Sequence, residues 1–176
     1  MKTRAQIVAA ALFATATLVA QAAKPQFALE STALISPMPV VEERTAHSAK
    51  ALGNYISQLR DAVFQELSAH SDLPSLRLAI VVAVKPQQLS RCWVEVGAPG
   101  IDVSISEALE AACLSVKPIE VSGGPIAFSL NFKIKRGGKS PNFQGLPYPL
   151  PAEWRDALDK SAEGRIPDDA LSVVWP

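Results

Sequence analysis

The sequence predicts an α+β fold: a small antiparallel three-stranded sheet with two helices packed on one face, in the order α-β-β-α-β. Three observations carry this. Apolar residues recur at steps of three and four over two segments, 46–70 and 104–117. Two Val-rich runs are separated only by Lys85-Pro86-Gln87-Gln88. The stretch from Ile126 to Ile134 alternates apolar and smaller or polar residues with period two.

The chain has 176 residues, enough for one domain with extensions. Residues 1–23 open with Lys2 and Arg4, run through an apolar stretch from Ile7 to Ala20, and close on the small-x-small pattern Ala20-Gln21-Ala22. This pattern is that of a Sec signal peptide. Its apolar run falls short of the roughly 20 residues a helix needs to cross a bilayer. Cleavage after Ala22 or Ala23 is therefore expected, with no membrane span in the mature chain. The alternative is a retained leader that acts as an anchor. Residues 24–45 carry Pro25, Pro37 and Pro39 and show no clear period, which predicts an extended arm.

The domain proper is expected over 46–138. Leu52, Tyr55, Ile56, Leu59, Val63 and Leu67 form the apolar stripe of the first helix, with Arg60, Asp61 and Glu66 off it. Asp72 and Pro74 end it. Leu76 to Val84 is apolar throughout, as in a strand covered on both faces. Proline in the next segment makes it a turn. Leu89 to Val96 follows as the second strand of a hairpin, with Cys92, Val94 and Val96 facing one way and Trp93 and Glu95 the other. Gly97-Ala98-Pro99-Gly100 breaks the strand. Ser104 and Glu107 have the spacing of a capping box, Ile105, Leu109, Cys113 and Val116 lie on the helix stripe, and Pro118 ends it.

In the last strand Ile126, Phe128, Leu130, Phe132 and Ile134 make an apolar face. The alternate positions Ala127, Ser129, Asn131, Lys133 and Lys135 predict a wet one. Residues 139–176 form a Pro-rich extension with one short helix around Ala152–Gly164. Trp154 or Trp175 is expected to dock on the domain, because a free tail seldom carries two tryptophans.

Composition and motifs narrow the chemistry. A formal net charge of zero argues against a nucleic-acid partner, which requires a basic face. Export places Cys92 and Cys113 in an oxidising compartment, where two cysteines allow one pairing; the alternative is two buried thiols. Two cysteines and two distant histidines do not make a zinc pattern. His47 and His70 lie in or near the first helix, and no Gly-x-Ser-x-Gly elbow accompanies them. His70 is expected at a helix C-terminus and Asp168-Asp169 in a solvated turn. The expectation is a non-enzyme with no catalytic residue, cofactor or metal.

The text and element order resemble the C-terminal domains of TonB and TolA, periplasmic proteins of bacteria. "YISQLRDAVFQELSAHSDLP" resembles the helix that precedes the TonB domain. The hairpin, "PGIDVSISEALEAACLSVKP" and "GGPIAFSLNFKIK" resemble its hairpin, helix and closing strand. The similarity spans roughly residues 54 to 135. A sheet-to-helix disulfide is also similar to that of TolA domains. The resemblance implies the fold and a periplasmic address. It does not imply coupling to an inner-membrane motor, because the 24–45 arm reaches at most about 75 Å; a membrane-anchored transducer is the alternative if the leader is retained. The resemblance further implies that a partner peptide, from an envelope protein such as one of the outer membrane, adds to the sheet as an extra strand. The surface expected for this is the last strand, through Ser129, Asn131, Lys133 and Lys135, with a homodimer left open. Lys133, Lys135, Arg136 and Lys139 have a second reading as charges guarding an edge strand.

Overall fold

The computed structural model describes residues 26–46, 48–141, 150–159 and 168–176, so the leader lies outside the described residues. The order is β1 (Phe27–Leu34), α1 (Met38–Arg44), α2 (Ala49–Ser68), β2 (Leu76–Lys85), β3 (Leu89–Val96), α3 (Val103–Leu114), β4 (Ile126–Ile134), α4 (Ala152–Asp159) and α5 (Asp168–Val174). The fold is α+β around an antiparallel sheet. The sheet has four strands rather than three, in the order β1-β4-β2-β3.

The fourth strand comes from the segment expected to be an extended arm. β1 pairs antiparallel with β4 from Phe27↔Ile134 to Leu34↔Phe128, with a register shift between Leu29 and Ser31. That bulge is why the strand escapes a period-two reading. Phe27 and Leu29 face the core before it and Leu34 after it, so the alternation slips by one residue. Pro37 then opens α1.

The two main helices form where the apolar periodicity places them. α2 is capped by Ser48, whose side chain accepts from the Ala51 N–H, and it buries Tyr55, Leu59, Val63 and Leu67. α3 buries Leu109 and Cys113. Its N-cap is Asp102, not Ser104: the Asp102 carboxylate accepts from both the backbone N–H (2.9 Å) and the hydroxyl (2.8 Å) of Ser104. A carboxylate at this point also complements the helix dipole. Both helices cover the face of the sheet made by Leu76, Leu78, Ile80, Val82 and Val84 of β2 and Ile126, Phe128, Leu130, Phe132 and Ile134 of β4.

The hairpin turns through Gln87 and Gln88, which hold φ of 69° and 59° in the left-handed region. Cys92 on β3 and Cys113 on α3 form a disulfide across a Cα–Cα distance of 6.6 Å. This ties the outer strand of the hairpin to the helix over it. At the far end of β3, a Cβ on Gly97 would lie 1.9 Å from the Lys139 carbonyl oxygen, so only glycine lets the chain leaving β4 cross there.

The second face of the sheet is covered too. Ile35, Val81, Ala83, Trp93 and Ala127 form a separate core with Leu150, Trp154 and Leu171 of the C-terminal extension. The extension contributes two helices, α4 and α5, rather than one. Trp154 is fully buried and meets Trp93 edge to face at 5.0 Å. This second cover is what permits β2 to be apolar on both sides.

Two outcomes follow. The double substitution Cys92→Ser/Cys113→Ser opens a link of sequence separation 21 and should cost about 3 kcal/mol in urea unfolding; a loss under about 1 kcal/mol would show that α3 is held on β3 by packing alone. Trp154→Ala empties the second core and should cost about 3–5 kcal/mol. Trp154→Phe should cost less, because the indole N–H it removes is buried without a partner.

Candidate functional site

The surface expected on β4 is not an edge. β4 is hydrogen-bonded to β1 on one side and to β2 on the other, so no partner strand can add to it. Ser129 stands between Val81 and Ala33 and is fully buried rather than wet. Asn131 lies between Ala79 and Ser31, and its Nδ2 donates to the Ser31 Oγ at 3.0 Å. Lys133 lies between Arg77 and Ala28. Lys135 sits past the end of β4 in the left-handed region (φ 53°), and its ammonium donates to the Leu73 carbonyl. Ser129, Asn131 and Lys133 lie on one row of an interior strand, Ser129 buried and the other two partly exposed, while Lys135 is exposed beyond the strand end. The reason is β1: once it closes over β4, the free edge moves out by one strand.

The C-terminal cover is fastened by cations. Arg44 of α1 makes two bonds to Asp168, at 2.8 and 2.7 Å, and also donates to the Pro125 carbonyl. Arg91 donates to the Val174 carbonyl at 2.8 Å and approaches Glu153 at 3.3 Å, while the Trp93 Nε1 donates to the same carboxylate at 3.1 Å. Lys85 donates to the Trp175 carbonyl and lies 4.5 Å from the centroid of its ring. Asp168 therefore begins α5 rather than sitting in a turn, and it is an ion-pair partner whose side chain stays half exposed. Hydrogen bonding by Arg44 holds the Asp168 carboxyl below the usual range. Burial pushes the Glu95 carboxyl up, against the opposing pull of Arg155 and the Ala152 N–H.

An open cleft of about 610 Å³ lies where the α2–β2 loop meets the start of α3 and contains His70. Two of its polar groups, His70 and Asp102, are already engaged. The His70 Nε2 is 3.0 Å from Glu66 Oε1 one turn back on α2, and Asp102 is taken up in capping α3. His47 lies outside the described residues.

The remaining candidate is the outer edge of β1. The sheet has two edge strands, β1 and β3. β3 is buried at Cys92 and Trp93, under α3 on one face and the C-terminal cover on the other. β1 is largely exposed, and among the described residues its outer side has no strand partner. Beside it runs an open groove of about 560 Å³, lined by Phe27, Ala28 and Leu29 of β1 and by Arg60, Asp61 and Phe64 of α2. Phe64 forms the floor: its ring packs on Phe132 at 5.7 Å and on Phe27 at 6.5 Å. Arg60 and Asp61 stand on the rim, bonded to each other at 2.7 Å, with side chains 39% and 65% exposed. At the bulge Glu30 turns to the other face and pairs with Arg77 at 2.7 Å, and those hydrogen bonds lower the Glu30 carboxyl.

The chemistry available here is recognition: a row of backbone donors and acceptors beside an apolar trough with one charge of each sign. Sequence reasoning missed the site because Arg60 and Asp61 read only as the solvent side of a helix. The alternation of Phe27 and Leu29 was the one available signal, and the bulge cuts it short. The fold defines an α+β domain with a four-stranded antiparallel sheet, whose more exposed edge strand among the described residues is β1. Comparison with protein-family models, with curated proteins and with solved structures gave no match to this chain.

The sign of the pH response of α5 follows from its ion pair. A depressed carboxyl stabilises the fold fully above the unfolded aspartate value, about 3.9, and that contribution is lost as pH falls through the lower folded value. Tryptophan fluorescence, which reports Trp93, Trp154 and Trp175, should therefore show a transition below about pH 4. In Asp168→Asn the neutral-pH signal should already resemble the acidified form; an unchanged acid transition in that variant would assign the titration to another carboxyl.

Proposed function

We propose that this chain is an exported protein-interaction module of the bacterial envelope, binding an extended segment of a partner protein by strand addition at the outer edge of β1. The observation that carries this is the placement of a strand edge, unpaired among the described residues, directly beside an open apolar groove. Backbone hydrogen bonds to β1 would supply affinity that depends little on sequence. Alternate side chains of the segment would enter the trough over Phe64 and select among partners. The reading needs no catalytic group, metal or cofactor.

The exported address is supported by the leader pattern of residues 1–23 and by the Cys92–Cys113 disulfide, which suits an oxidising compartment. The TonB-like order α2-β2-β3-α3-β4 supports the envelope role, with the binding edge moved from β4 to β1.

The test uses protein purified from its native envelope, whose intact mass should begin at Ala23 or Lys24. That protein is screened against a displayed library of segments from outer-membrane and periplasmic proteins, followed by hydrogen exchange on the binders. Slowed exchange confined to Phe27–Leu34 is the expected result. Slowed exchange at the His70 cleft instead, or no binder at all, would overturn the strand-addition reading. A mass retaining Met1 would move the protein to the anchored-transducer reading.

A further inference from the structure

We infer that the outer edge of β1 also pairs with β1 of a second copy of this chain, giving a two-fold dimer with a continuous eight-stranded sheet. The residues of the edge are complementary to themselves. A two-fold axis perpendicular to the sheet and passing by Ala28 sets the two strands antiparallel, and it keeps the α2–α3 layer of both copies on the same side. Phe27 of one copy then stands opposite Leu29 of the other, so each copy brings two apolar side chains to the trough that its partner leaves open. Ala28, the residue nearest the axis, is small and exposed, and leaves room for the approach.

The charges on the rim obey the same symmetry. Arg60 and Asp61 are neighbours on α2 and line the groove together. With one charge of each sign on the rim, the two-fold contact can set Arg60 of one copy against Asp61 of the other, and the reverse. Within one copy these two side chains, among the described residues, hold each other, at an exposed position where such a pair adds little to stability. Exchanging partners across the axis therefore costs little and places each charge beside an opposite one. The stretch of β1 before the bulge carries neither Lys nor Pro, the usual guards of a strand edge. The register shift after Leu29 limits the paired stretch, which makes the contact small and the dimer weak. The dimer uses the edge assigned above to a partner segment but does not depend on the identity of that segment; the two occupy β1 in competition.

The experiment is sedimentation velocity on the mature, oxidised chain. Wild-type protein should pass from monomer to dimer between about 1 and about 100 µM. Arg60→Glu makes the rim wholly acidic and Asp61→Arg makes it wholly basic, so each variant alone should stay monomeric, with unchanged circular dichroism. An equimolar mixture of the two should regain the dimer, because each rim then meets its opposite. A wild-type chain that stays monomeric, single variants that dimerise like wild type, or a mixture that stays monomeric would each overturn the inference. The strand-addition reading is judged separately, by binding of a selected segment to the wild-type chain held at about 0.1 µM, below the range in which it dimerises.

Discussion

Because β2 carries apolar side chains on both faces, the sheet has to be covered twice. Leu78, Ile80 and Val82 point to one side and Ala79, Val81 and Ala83 to the other, and all are almost wholly withdrawn from water. A sheet with one wet face could have ended at β4. This one cannot, and Leu150, Trp154 and Leu171 are folded onto the second face by that requirement. Burial also explains how the cover is fastened. Its apolar area is small, centred on Trp154, Leu171 and Leu150, and the helices are short. Arg44, Lys85 and Arg91 supply the remaining attachment, through carbonyls and carboxylates at the ends of α4 and α5.

The same constraint decides where the molecule is open. β3 is tied to α3 by the disulfide beneath it and overlaid by the cover above it, so its edge is held between two layers. β1 has α2 on one face, and its other face is guarded mainly by the Glu30–Arg77 pair. Of the two edge strands, β1 is the more exposed, although it precedes the other strands in the chain.

Much of this was legible from local pattern and little of it from composition. α2, α3, β2, β3 and β4 formed where their periodicities placed them, and Cys92 pairs with Cys113, the one pairing that two cysteines allow. What the pattern could not show was strand order. Ser129 and Asn131 read as wet because small polar side chains alternate with large apolar ones. Ser129 is buried and Asn131 is partly covered because of a neighbouring strand a hundred residues away and the extension over the same face. β1 was hidden because a bulge reverses its alternation halfway, turning a clear signal into two short ones. Asp168 was read as part of an exposed acidic pair because its partner, Arg44, belongs to a helix that a proline-rich segment concealed. In each case the missing information was a contact between distant segments, which no local window contains.

The distance between β1 and its ladder partner bears on how the chain comes to be folded at all. Ser31 and Asn131 face each other across a sequence separation of 100. A chain that emerges amino end first, from a ribosome or from an export channel, releases β1 long before β4 exists to receive it. β2 emerges in between, sticky on both sides, and stays uncovered until the final helices arrive. The interval between first emergence and closure is therefore set by transit of nearly the whole polypeptide. During that interval the apolar runs are open to aggregation and to any holdase that meets the nascent chain.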